Sequence, residues 1–208
     1  MINIYNQDCM EAMKKMSDNQ FDLAIVDPPY GIGASEMTMG SGKNKKYKKG
    51  KKWDNETPTQ EYFNEIQRVS KNQIIWGGNY FADKLKPTRC YIFWDKGING
   101  DCDFADGELA WCSFDKVLRK ATVRYKGFLG ADNIRIHPTQ KPVKLYEWLL
   151  MNYAKEGDTI LDTHLGSGSI AIACHNLGFE LTGYEIDKEY FEAAKKRIEQ
   201  HKQQGRLW

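Results

Sequence analysis

Little in this chain of 208 residues points to secretion, a membrane or a bound metal. Its five cysteines, Cys9, Cys90, Cys102, Cys112 and Cys174, make no C-x-x-C pair and no His/Cys spacing suited to a metal. Buried thiols in a reducing cytosol are expected instead of a disulfide framework. The chain begins without an apolar signal core, and no apolar run approaches the roughly 20 residues of a spanning helix, so the expectation is a cytoplasmic protein. Excess charge is missing as well. At a net +2, attraction to nucleic acid has to come from clustered basic residues. The length suits one α/β domain and is short for two, giving residues 1–208 as a single unit.

What is present is an alternation of short apolar strands and amphipathic helices. Strands are expected at 3–5, 21–26, 74–76, 91–94, 159–161 and 179–184. Helices follow Asp8, the pair Thr57-Pro58 (N-cap and first helical residue) and Pro142; two more cover 170–177, closed by Gly178, and 188–200. Such alternation implies a parallel sheet with helices on both faces. Residues 109–111 and 117–125 read as two strands joined by a short turn, an antiparallel hairpin at the sheet edge, the second strand basic. Edge protection by charge and a face for DNA explain that basicity equally well.

Three stretches carry chemistry. Asp27-Pro28-Pro29-Tyr30 ends an apolar strand, the place where open α/β sheets hold ligands. Two prolines stiffen the turn and keep carbonyls such as that of Pro28 out of a helix. With the Asp27 carboxylate this gives two acceptors beside the Tyr30 ring, a cradle for a planar group bearing an NH2, such as a nucleobase. The second stretch is strand, glycine turn and helix: Asp162-Thr163-His164-Leu165-Gly166-Ser167-Gly168-Ser169. Gly166 and Gly168 admit a ligand to the backbone at a helix N-terminus, and Glu185, ending the next strand, is placed to accept from ribose hydroxyls. A third glycine is missing, since Ala171 stands there, and nothing suggests hydride chemistry. The third stretch is His137-Pro138-Thr139-Gln140-Lys141-Pro142, where His137 is expected to hydrogen-bond within the turn.

After Tyr30 the chain is polar and glycine-rich, and it ends in seven lysines, Lys43, Lys45, Lys46, Lys48, Lys49, Lys51 and Lys52, with Tyr47 and Trp53 among them. A run of like charge cannot bury itself. Set beside the Asp27 turn, with aromatics able to stack on bases, it reads as a DNA-phosphate clamp within a basic mobile loop at about 31–56.

In combination these stretches resemble the β-class S-adenosylmethionine-dependent DNA amino-methyltransferases, over nearly the whole chain from Asp8 to Glu185. Asp-Pro-Pro-Tyr resembles their N6-adenine catalytic motif, whereas many N4-cytosine members begin with Ser. The glycine turn resembles their Asp-Pro-Phe-x-Gly-Ser-Gly-Thr; Thr163, His164 and Ser169 depart from it. His164 replaces an aromatic that encloses the methionine part, and a neutral ring is expected beside the sulfonium. The resemblance implies a Rossmann-like methyltransferase fold in permuted motif order, with Asp27, Pro28, Pro29 and Tyr30 catalytic. It implies Asp8 and Cys9 at the cofactor adenine, Lys141 paired with the methionine carboxylate, and Asp162, His164, Gly166, Ser167, Gly168, Ser169 and Glu185 around the rest of S-adenosylmethionine. DNA is the implied partner, homodimerisation and a companion restriction nuclease are options, and no metal is called for. The alternatives are an N4-cytosine or RNA methyltransferase and a non-catalytic DNA-binding subunit. With no large separate recognition domain, target recognition falls to the loop at 31–56 and an insertion at about 97–135.

Overall fold

The short apolar runs pair side by side in one sheet in a computed structural model that describes residues 1–33, 53–97, 105–123 and 136–204. Among the described residues the strands are β1 (Ile2–Tyr5), β2 (Phe21–Val26), β3 (Ser70–Trp76), β4 (Tyr91–Asp95), β5 (Gly107–Cys112), β6 (Arg119–Thr122), β7 (Thr159–Asp162) and β8 (Glu180–Tyr184). Their order in space is β1-β8-β7-β2-β3-β5-β4-β6. From β1 to β3 every pairing is parallel, as the alternation with helices requires.

The helices are α1 (Cys9–Met13), α2 (Gln60–Val69), α3 (Val143–Tyr153), α4 (Ser169–Leu177) and α5 (Lys188–Gln203). Successive strand residues point to opposite faces, so β2 sends Leu23 and Ile25 into one core and Ala24 and Val26 into the other. The first core is completed by Leu145 and Leu149 of α3, Ile170 of α4 and Ile198 of α5; the second by Met13 of α1 and Phe63 and Ile66 of α2. Burial on both faces is why these strands are apolar without alternation.

Two local expectations are corrected. Helix α2 takes Thr59 as its N-cap, and the Thr57 hydroxyl instead accepts from Lys84 Nζ at 2.6 Å. Strands β5 and β6 do not pair with each other: β4 lies between them, antiparallel to β5 and parallel to β6. The reason lies in β4, whose Ile92 and Trp94 are fully buried and need a strand on each side, while β6 buries only Ala121 and suits the edge. The antiparallel pair near the edge is therefore β4 with β5, and residues 124–125 of the expected second strand lie outside the described residues.

This register makes a prediction. Ala121→Asp, opposite Trp94, places an unpaired carboxylate in the core and is expected to cost about 3 kcal/mol or more. Arg119→Thr on the exposed side should leave the urea midpoint nearly unchanged; the two midpoints, measured side by side, check the placement of β6.

Candidate active site

Because β2 pairs with β7 on one side and β3 on the other, three strand ends open onto one sheet edge. The end of β2 is the Asp27–Tyr30 turn. Its backbone N–H groups at Tyr30 and Gly31 both donate to Asp54 Oδ1, at 2.6 and 3.0 Å, and Asp54 is buried. Tyr30 donates its hydroxyl to Asp27 Oδ1 at 2.6 Å and stacks on Tyr80 at 4.9 Å between ring centroids. The other neighbour of the ring is Gly77, at the end of β3. A Cβ there would lie 2.3 Å from Tyr30 Cε1, and the residue sits at φ +76°, so glycine is required on both counts.

Around Asp27 the charges form a buried chain. Lys141, 3 % exposed, ion-pairs with Asp27 Oδ2 and, at 3.1 Å, with Glu108 Oε2; Lys96 holds Glu108 Oε1 at 2.7 Å. Burial works against the charge of Glu108, but Lys141 and Lys96 outweigh it and hold its carboxyl down at about 2. At Asp27 burial is the larger effect and pushes the carboxyl up, against the pull of Lys141 and with repulsion from Glu108. Its anionic form thus leans on the lysine. These groups line a cavity of about 410 Å³ whose wall also includes Pro28, Pro29, Tyr30 and Tyr80.

A second cavity, of about 300 Å³, lies on the other side of the turn, and Pro29 lines both. Asp8, Cys9, Tyr62, Thr163, His164 and Glu185 line it. Asp8 also caps α1, accepting from Met10 N at 2.8 Å, so capping and a place in this wall coexist. Glu185, at the end of β8, is fixed by Gly166 N on Oε2 and Asp187 N on Oε1, both at 2.9 Å. His164 is neutral, as expected: burial lowers its pKa to about 4, with Asp8 pulling the other way. Its Nδ1 lies 2.9 Å from Thr163 Oγ1, which is 2.7 Å from the Tyr62 hydroxyl. Asp162 Oδ1 accepts from His164 N at 3.0 Å, and burial pushes its carboxyl up to about 8.

The expected site residues therefore divide. Asp8, Cys9, His164 and Glu185 share the second cavity; Asp27, Pro28, Pro29, Tyr30 and Lys141 share the first. Lys141, expected at the methionine carboxylate, has carboxylates of the chain itself as partners, since burying an ammonium requires them. Asp162, Ser167, Gly168 and Ser169 line neither cavity but build the turn beneath. Gly168 holds φ +71° as N-cap of α4, and the Ser167 carbonyl and Ser169 hydroxyl both accept from buried Arg197 of α5. His137 Nδ1 faces Thr139 N and Oγ1 within its own turn, as expected. The seven lysines from Lys43 to Lys52 lie outside the described residues. Sequence reasoning missed Asp54, Lys96, Glu108 and Tyr62. Of these Lys96 left a signal, its place just past the end of an apolar strand, while Glu108 falls just before the expected strand at 109–111 and turns out to be its second residue.

Two cavities that share Pro29 in their walls, at the C-terminal ends of parallel strands, are the ligand-binding arrangement of a Rossmann-like fold. The family model for DNA methylases, of the N6/N4 amino-methyltransferase type, matches residues 73–196. The type II methyltransferase M.HpaI of Haemophilus parainfluenzae is 28 % identical over 233 residues, covering 91 % of this chain and 72 % of its own. Among solved structures, the M1.HpyAVI–SAM complex is similar with a TM-score of 0.60 at 23 % identity, over 95 % of this chain and all of that one. The cytosine-N4-specific PvuII DNA methyltransferase also gives 0.60, at 13 % identity, over 97 % and 90 %. The chain belongs to the DNA methylase family of S-adenosylmethionine-dependent N6/N4 amino-methyltransferases.

The two shifted groups of the glycine turn predict a pH dependence. Asp162 titrates near 8 when folded and about 3.9 when unfolded, so the folded state holds an extra proton between, and stability is lost as pH rises through that window. His164, depressed to about 4, acts oppositely, adding stability as pH rises to about 6.5 and nothing further above it. From pH 6.5 to 8 the Asp162 contribution should therefore fall by roughly 1–2 kcal/mol. Urea unfolding of the ligand-free protein at both pH values, beside Asp162→Asn, checks this; the variant should lose that part of the slope.

Proposed function

We propose that this enzyme transfers a methyl group from S-adenosylmethionine to N6 of adenine in DNA, working as one domain over residues 1–208. The observation that carries the reading is Pro29, which lines both cavities, with the Asp27 carboxylate in one and the carboxylates Asp8 and Glu185 in the other. That second set of groups fits an adenosine: Glu185 would accept from a ribose diol and Asp8 from an exocyclic amine, and a neutral His164 would meet a sulfonium without repelling it. When bound, S-adenosylmethionine supplies a methyl carbon that is already electrophilic. The target base, turned out of its stack, enters the first cavity. Asp27 and the Pro28 carbonyl would accept from its amine and favour a pyramidal nitrogen, whose lone pair would take the methyl group while sulfur keeps the C–S electron pair. The surplus amine proton leaves along the hydrogen bond to Asp27. Tyr30, fixed by Asp27, Tyr80 and Gly77, supplies a rigid ring against the base.

Adenine is favoured by Asp27, because many N4-cytosine members carry Ser at that place. The second reading, N4 of cytosine, is supported by the likeness to the cytosine-N4-specific PvuII enzyme. Product nucleosides after incubation of DNA with labelled cofactor separate the two. Asp27→Ala is expected to lower transfer by at least about 10³-fold while S-adenosylmethionine still binds, as read by calorimetry; retained turnover would remove Asp27 from the chemistry.

The lysines from Lys43 to Lys52 are proposed to neutralise DNA phosphates, and sequence recognition is proposed to reside in the segments 31–56 and 97–135. Replacing four of the seven lysines by Ser should flatten the slope of log K against log salt by about 0.9 for each phosphate no longer neutralised. A slope unchanged in filter binding would place the phosphate contacts elsewhere.

A further inference from the structure

We infer that Lys141 and Asp27 together read the amidine edge of the target base, the lysine donating to the ring nitrogen next to the amine: N1 of adenine, or N3 of cytosine. This rests on the methyl-transfer reading above. An ammonium carries three N–H groups. Two of those on Lys141 are taken by Asp27 Oδ2 and Glu108 Oε2. The third is weakly held: the Tyr30 hydroxyl, whose lone pairs can accept although its own proton goes to Asp27, lies at 3.4 Å, beyond the usual 2.7–3.2 Å, and the Trp76 ring centroid is 5.3 Å away. Lys141 lines the 410 Å³ cavity together with Asp27 and Tyr30, so a base entering there can take this loosely held N–H from Tyr30.

A carboxylate acceptor beside an ammonium donor is the complement of an NH2 attached to the carbon next to an unprotonated ring nitrogen. Adenine and cytosine share that edge and thymine lacks it, which accounts for one site architecture serving N6 and N4 chemistry. Glu108 is the anchor. Held by Lys96 on its other oxygen, it shares the Lys141 ammonium with Asp27, so the lysine is not paired with Asp27 alone and the Asp27 carboxylate keeps acceptor capacity for the amine. Lys141 is thus a recognition residue toward the base, and Glu108 a positioning residue acting through it.

The test uses oligonucleotides bearing the methylated sequence found by mapping DNA from expressing cells, with adenine, 1-deazaadenine or 7-deazaadenine at the target. Replacing N1 by CH also changes the intrinsic reactivity of the amine, but that difference cancels when the adenine to 1-deazaadenine ratio of kcat/KM is compared between wild type and Lys141→Met. The wild-type ratio should exceed that of the variant by about tenfold or more, the worth of a hydrogen bond from a charged donor, and the 7-deazaadenine ratio should not differ. Equal 1-deazaadenine ratios would overturn the inference. If calorimetry shows that Lys141→Met no longer binds S-adenosylmethionine, Glu108→Gln decides: its ratio must fall at least about threefold below wild type, and an unchanged ratio overturns the assignment. No transfer to unmodified adenine would count against the N6 reading alone, and the same comparison on cytosine and 3-deazacytosine then decides the role of Lys141.

Discussion

Parallel hydrogen bonding of β2 to both β7 and β3 is the constraint on which the site depends. Leu23 and Ala24 pair with Ile160 and Leu161, and Ile25 and Val26 with Ile74 and Ile75. Those pairings bring Asp27, Asp162 and Gly77, far apart in sequence, to one edge. Parallel strands all end on the same side, and the residues at and just past those ends gather where open α/β sheets hold ligands. Helices packed on both faces keep that edge fixed, since a slip of one residue would exchange the two cores.

The second organising element is electrostatic. Two carboxylates and two lysines alternate as Asp27, Lys141, Glu108 and Lys96 in a largely buried row. Taken singly each charge would be expelled or neutralised; as a row they offset one another, and each fixes the next in place. Asp27 is thereby held in orientation by Lys141 on one oxygen and the Tyr30 hydroxyl on the other.

Much of this was legible in the sequence, and the boundary is physical. Strand ends, the proline turn and the glycine turn are local: a period of two, a fixed φ or a positive φ leaves its trace in adjacent residues. Partners are not local. The Ser167 carbonyl and Ser169 hydroxyl are satisfied by Arg197 on another helix, Lys141 by Glu108 on another strand, and the place of β4 by burial of Ile92 and Trp94. The seven lysines were conspicuous in composition, yet composition carries no geometry.

Asp54 has an outcome beyond orienting Tyr30. Its side chain receives Tyr30 N and Gly31 N while its carbonyl receives Gly33 N at 3.0 Å, so the chain leaving the proline turn and the chain returning to it are knotted together at their base. The turn that bears Tyr30 is thus clamped by a residue 24 positions further along the chain, so its conformation is set by closure at the loop's base and not by the two prolines alone.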